Sequence, residues 1–301
     1  GGEQATLNAR ETRLHLAVKK QTSVGLVKAY IEGDFYGDGG AFRLRHAYVD
    51  INDKIRAGQY WSNFMDVDII PKTLDFEKPT AYTFLRHALV RYKGKLTDHS
   101  YLSVAVEQGS ATGQAPAQPG TFESPLPDLT LQYRLSNDWG HLQLSGYAGT
   151  IRYRYDAGGS DDFSVFGGNV SGAFKVLKLD RFTYQVIYGS GLGRYRGGVS
   201  TTLDDNGNII TIEELGFTLT YEHQWSDKFS SLLVYNQGNN LNQDKQTGLN
   251  IDLQWKFKGI KEIAINKSTK KIIIKIDKKY FRPGEVDFLK GDYNKAKKLL
   301  K

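Results

Sequence analysis

Residues 42–64, FRLRHAYVDINDKIRAGQYWSNF, decide how the rest of the chain is read. They predict two antiparallel strands around a tight turn at Asn52, Asp53 and Lys54. Phe42, Leu44 and Tyr48 alternate with Arg43, Arg45 and Ala47, and on the return Ile55, Ala57 and Trp61 alternate with Arg56 and Gly58. A period of two with one apolar face marks a half-buried strand. The opposite face carries three arginines. In a soluble sandwich that face is simply wetted. In a membrane barrel it lines a water-filled lumen while the apolar face meets lipid.

Composition narrows the choice. The chain has 301 residues, 40% of them hydrophobic, and a mean hydropathy of −0.47. No run approaches the ~20 apolar residues of a spanning helix, which excludes a helical membrane protein and leaves a barrel open. Tyr 18, Phe 15 and Gly 32 against Pro 7 favour β structure. The absence of cysteine removes disulfides, thiolate catalysis and cysteine metal sites. His15, His46, His87, His99, His141 and His223 show no metal-ligand spacing. No nucleophile, base and orienting group can be assembled from spacing, so no catalytic residue, metal or cofactor is expected. The start, Gly-Gly-Glu, reads as mid-loop in a trimmed piece without a signal peptide.

The net charge of +7 is unevenly placed. Residues 258–301 hold fourteen basic and five acidic residues, a net of +9, and the remainder holds 26 basic and 28 acidic, a net of −2. The basicity belongs to the tail, which removes the case for nucleic acid. It marks a boundary between residues 1–257 and 258–301.

Before that boundary, alternation predicts thirteen strands, many of 8–12 residues. The clearest is 247–257, where Leu249, Ile251, Leu253, Trp255 and Phe257 alternate with Asn250, Asp252, Gln254 and Lys256. Residues 141–155 change apolar face near Gly149, which predicts a bulge there. Tilted membrane strands need ~9–11 residues, against ~5–6 in ordinary sheets. Connections near 52–54, 136–138, 178–181 and 226–228 are short; those at 62–81, 109–126 and 194–213 are long. Sorting by length is a habit of outer-membrane barrels. Tyr36, Tyr60, Trp61, Trp225 and Trp255 are placed to form interfacial girdles. Lys28, Arg43, Arg45, Arg56, Arg91 and Arg134 each fall on the polar side of a strand and are the candidate pore-lining residues. They either attract anions or brace the wall against Glu32, Asp34 and Glu222.

The segments ARETRLHL (9–16), KAYIEGDFYG (28–37), FRLRHAYVDI (42–51), GQYWSNFMD (58–66), TLDFEKP (73–79) and LRHALVRY (85–92) resemble the DcaP-like trimeric porins of the Gram-negative outer membrane. The resemblance covers residues 9–257. It implies an all-β, antiparallel transmembrane β-barrel of the sixteen-strand porin type, here with one strand missing before and two after the thirteen present. It also implies a homotrimer in the lipid bilayer, in contact with lipopolysaccharide, passing small, mostly anionic solutes. Residues 62–81 would be the family's inward-folded third loop, constricting the pore with Asp66, Asp68, Asp75 and Glu77.

The tail is different. EIAINKSTKKIIIKID (262–277) and KYFRPGEVDFLKGDYNKAKKLL (279–300) resemble the C-terminal end of GDP-mannose 4,6-dehydratases, with Arg282 and Glu285 matching nucleotide-sugar contacts. No glycine fingerprint opens a βαβ unit, and no Tyr-x-x-x-Lys pair stands in a catalytic setting. GSGLGRYRGG (189–198) sits in a strand and loop. The sequence therefore predicts a small α+β appendage, with a hairpin and a helix over 292–300, joined to an incomplete barrel whose open edges make it a poor conductor. The rival readings are a fragment of a sugar-nucleotide dehydratase and a soluble β-sandwich binding module.

Overall fold

The computed structural model describes residues 8–73, 81–177, 179–226 and 229–242, and by backbone alone 245–257, 263–265 and 272–275. The strands are β1 (Leu14–Thr22), β2 (Gly25–Asp34), β3 (Arg43–Ile51), β4 (Ile55–Trp61), β5 (Arg86–Lys95), β6 (Ser100–Glu107), β7 (Gly120–Glu123), β8 (Asp128–Asn137), β9 (Gly140–Tyr155), β10 (Ser160–Val176) and β11 (Asp180–Ser190). A helical turn, α1 (Gly193–Arg196), precedes β12 (Thr201–Leu203), β13 (Ile209–Thr211), β14 (Glu213–Ser226), β15 (Phe229–Asn240), β16 (Lys245–Phe257), β17 (Ile263–Ile265) and β18 (Ile272–Lys275).

Thirteen strands form one antiparallel run, β1-β2-β3-β4-β5-β6-β8-β9-β10-β11-β14-β15-β16, with β7 added beside β9. Among the described residues no ladder joins β1 to β16, so the barrel is not closed. β12–β13 and β17–β18 are separate hairpins.

The register shows which face is which. Gln143, Ser171, Gln185, Thr218 and Asn236 form one row across β9, β10, β11, β14 and β15, and all five are buried. One residue along, Leu144, Val170 and Val186 form the neighbouring row, at 42–43% exposure. Val104 and Leu131 are paired and exposed in the same way. A soluble sandwich buries its apolar rows under a second sheet. Here the polar side is enclosed and the greasy side faces outward, the arrangement that hydrocarbon solvent requires.

Local chemistry explains the turn that opened the sequence reading. Asn52 and Asp53 both take φ of 56°, and Lys54 N–H bonds the Ile51 carbonyl at 3.0 Å. Two left-handed residues match the twist of a short hairpin. Asn52 also clamps the adjacent hairpin: its Oδ1 accepts from Leu26 N–H at 2.8 Å and its Nδ2 donates to the Val24 carbonyl at 3.0 Å.

Three expectations need correction. The bulge lies between β2 and β3, where Glu32 faces His46 and Gly33 faces Leu44, leaving Arg45 as the extra residue. That insertion reverses the parity of the rest of β3, so Tyr48 points to the polar side. No shift occurs at Gly149; β9 stays in register with β10 throughout. Its apolar residues change side because the interior itself becomes apolar there. Tyr147 and Ile151 pack with Phe64, Val165, Ile187, Leu192 and Tyr195. Finally, Trp61 is not a girdle residue: it is buried with Met65, Ile69, Tyr82 and Ala173, and Tyr60 faces inward over Arg56.

Candidate functional site

After β4 the chain turns into the curved sheet. Residues 62–73 cross the polar faces of β6, β8, β9, β10 and β14. Asn63 N–H donates to Glu107 at 2.6 Å, and Ser103 Oγ donates to Asn63 Oδ1 at 2.7 Å. The Phe64 carbonyl accepts from Ser145 Oγ at 2.7 Å and Asn169 Nδ2 at 2.9 Å, and the Met65 carbonyl from Gln143 at 3.1 Å. Lys72 reaches Glu222 on β14 at 2.9 Å.

Asp66 is the central anchor. Its carboxylate, 0% exposed, meets Arg134 at 3.1 Å and His141 Nε2 at 2.7 Å. It also accepts from Ser171 Oγ at 3.0 Å and the Asp68 N–H at 3.1 Å. Burial alone pushes this carboxyl up; the hydrogen bond from His141 and the charges of His141 and Arg134 outweigh it and hold the group below its usual range. Tyr82 donates to the Asp66 carbonyl at 2.7 Å, and burial pushes its phenol well up. Asp68 is half exposed and pairs with Arg134 at 2.5 Å. Arg181 donates to the Asp68 carbonyl. Asp75, Glu77, Arg282 and Glu285 lie outside the described residues.

The loop covers one side of the interior. On the other, antiparallel pairing sets Lys28, Asp50, Arg56 and Arg91 in one row across β2 to β5. Arg56 is sandwiched between the Tyr48 and Tyr60 rings, 4.3 and 4.0 Å from their centroids, and bonds Asp50 at 2.7 Å. Lys28 bends to Asp53 in the hairpin turn at 2.5 Å. Arg43 and Arg45 converge on Asp34 at 2.7 and 2.9 Å, and Arg45 also holds Glu32 at 2.8 Å. Arg91 and Lys93 differ. Their contacts are rings: Tyr60, 5.6 Å from Arg91, and Tyr101, 5.2 Å from Lys93. Among the described residues neither has an ion pair.

The sequence reading missed Lys93, Tyr48, Tyr101, Asp50 and His141. Lys93 was accessible to it, standing two residues after Arg91 on the same strand face. Asp50 and Tyr48 were hidden by the bulge, which shifts their parity. His141 carried no sequence signal; only the path of the loop brings Asp66 to it. Among the described residues there is no group of three potential metal ligands.

The comparisons agree with this architecture. The model of the DcaP outer membrane protein family matches residues 3–258. The outer membrane channel DcaP of Acinetobacter baumannii aligns with a TM-score of 0.70 and 25% identity, over 78% of this chain and 68% of that one. A second family model, GDP-mannose 4,6 dehydratase, matches residues 231–301 and overlaps the end of the first. The corresponding enzyme of Dictyostelium discoideum is 48% identical over 52 residues, 17% of this chain and 15% of that protein. That of Sinorhizobium fredii is 43% identical over 56 residues, 19% of this chain and 15% of that protein. The chain thus spans about one seventh of these curated enzymes. With a match across most of its length and the inverted polarity that lipid demands, the chain belongs to the DcaP outer membrane protein family, a porin of the outer membrane.

Proposed function

We propose that this porin passes small anionic solutes by diffusion between the Arg56–Arg91–Lys93 wall and the loop held by Asp66. One observation carries the reading: Asp34, Glu32, Asp50 and Asp66 are all bonded to cations, while among the described residues Arg91 and Lys93 are bonded to no acid. A narrow passage with low-dielectric walls concentrates the field of such unneutralised charge and raises the local anion concentration. Arg43, Arg45 and Lys28 serve chiefly as braces, and Arg134 orients the constricting loop. Reversal potentials across planar bilayers in a KCl gradient test this; a cation-preferring potential would overturn it.

The partners follow from the outer surface. The apolar band takes lipid, with lipopolysaccharide at the outer rim. Ala29, Ala47 and Ala57 leave a shallow apolar hollow between Leu16, Val18, Ile31 and Val49 on β1–β4. Small residues allow close approach of a second backbone in lipid, which favours a homotrimer seated on this face. The barrel is residues 1–257 and the appendage 258–301. The barrel's family is that of a porin, not an enzyme; the appendage corresponds to about 15% of the curated dehydratases' length and is read as a fragment without dehydratase activity of its own.

A further inference from the structure

We infer that Arg91 and Lys93 form a discrete binding step for a compact divalent oxyanion of the phosphate type, rather than contributing diffusely to anion preference. The inference rests on the porin reading above and assigns the solute contact to two residues of one strand.

The inner wall separates two kinds of cation. Arg43, Arg45, Arg56 and Arg134 each hold a carboxylate within 3.1 Å. An anion that binds them must compete with a partner already in place. Arg86 lies on the Trp61 ring at 4.5 Å, where the indole face covers it. Among the described residues Arg91 and Lys93 hold no carboxylate, and they lie farther from their rings, Tyr60 and Tyr101, at 5.6 and 5.2 Å. They stand two residues apart on β5, about 6.6 Å along the strand, and share the inner face with Arg56. The residue opposite Arg91 on β6 is Ala105, and that opposite Lys93 is Ser103. Neither can supply a counter-charge.

The chemistry of the two heads complements a single small centre. The guanidinium offers a planar fork of donors and the ammonium a rotating point charge. Each makes contacts of about 2.8 Å to an anionic oxygen, so one tetrahedral group can bridge them. Tyr60 and Tyr101 flank the step; a carboxylate there would neutralise it, a phenol does not. Arg91 and Lys93 are like charges two residues apart on one strand face, so two negative charges on one centre relieve their mutual repulsion better than one.

The test is isothermal titration of the whole chain, refolded in detergent micelles, with inorganic phosphate at pH 8 and with nitrate. Phosphate should bind, nitrate at least tenfold more weakly. R91Q/K93Q should weaken phosphate at least tenfold, and 0.5 M KCl should weaken it in the parent. K19Q/K95Q, which removes two exposed charges from the same sheet, should match the parent. Circular dichroism and heat-modified gel mobility establish that each variant folds; should R91Q/K93Q fail, R91K and K93R carry the test through loss of the preference for phosphate over nitrate. Absence of phosphate binding by the parent, equal binding by R91Q/K93Q, or equal loss in K19Q/K95Q overturns the inference. Bilayer recordings separate the two claims: phosphate binding with a cation-selective current refutes the anion-porin reading alone, and anion-selective current without phosphate binding refutes this step alone.

Discussion

Asp66→Ala should loosen residues 62–73 without unfolding the sheet. The carboxylate accepts from Arg134, His141, Ser171 and the Asp68 N–H, at 3.1, 2.7, 3.0 and 3.1 Å. Its removal leaves the partly buried Arg134 with Asp68 as its ion-pair partner, beside neutral hydrogen bonds to Ser136 and Gln143. Breaking one member of a buried charge network costs about 3–5 kcal/mol. Water can enter the lumen beside the half-exposed Asp68, so the lower end, about 3 kcal/mol, is the better figure here. The loop keeps its anchors at Asn63, Phe64 and Met65, which confines the effect to 66–73. At about 1.36 kcal/mol per decade, the open population rises by about two orders of magnitude. Hydrogen–deuterium exchange on the 62–73 peptide should accelerate by that factor, and by about tenfold in Asp66→Asn, which keeps one carbonyl acceptor and loses the charge. Acceleration below threefold in Asp66→Ala would refute the idea that Asp66 fastens the loop. The acid response has a definite sign. Asp66 is held below its ordinary value in the folded loop, so its contribution is complete above about pH 4 and falls away as pH drops through the lowered native value. Exchange corrected for its intrinsic pH dependence should therefore rise as pH falls below that ordinary value.

Three other substitutions probe different parts of the wall. Arg56→Leu strands the buried Asp50 carboxylate and removes both tyrosine stacks; urea unfolding in micelles should show a loss of about 3 kcal/mol. Val104→Arg places a charge on the outward apolar row beside Leu131, and insertion into vesicles should weaken by about 2–4 kcal/mol, against nearly nothing for an exposed position of a soluble sheet. Gly58→Ala should lose about 1–3 kcal/mol by the same unfolding assay, because φ is +128° and a Cβ there would lie 2.2 Å from the Ala47 carbonyl oxygen.

Period-two alternation located all thirteen strands of the main run because each separates lipid from water along its length, a strong and repeated signal. It failed at two places for physical reasons. At Arg45 an inserted residue changes parity without changing composition, so alternation puts Tyr48 on the wrong side. At Tyr147 and Ile151 the alternation is sound, but the interior is filled by Phe64, Leu192 and Tyr195 instead of water. Contacts made by a loop 70–100 residues away in sequence, such as Asp66 with His141 and Ser171, leave no local pattern at all. The cation set was legible as a set. Which members are neutralised was not, because Asp34, Glu32 and Asp50 lie on the same strands as other plausible partners and only the register assigns them.

That assignment explains how a body with 26 basic and 28 acidic residues can present a positive passage. Net charge counts every group, whereas a passing solute responds to the charges left over within a Debye length of about 8 Å. Glu32, Asp50, Asp66 and Asp68 are each committed to a neighbouring cation over 2.5–3.1 Å, and Glu107 to the Asn63 N–H and the Thr130 hydroxyl. Acids on the long-loop rim are satisfied locally: Asp162 by Arg152, and Asp204 by the N–H groups of Asn206 and Asn208. Among the described residues, Arg91 and Lys93 remain on the inner wall as cations beside tyrosines, with Arg86 over Trp61. A small excess suffices, since the low dielectric of the wall amplifies it at short range. The sign of the passage is thus set by the strand register that leaves Ala105 and Ser103, and no carboxylate, opposite those two residues.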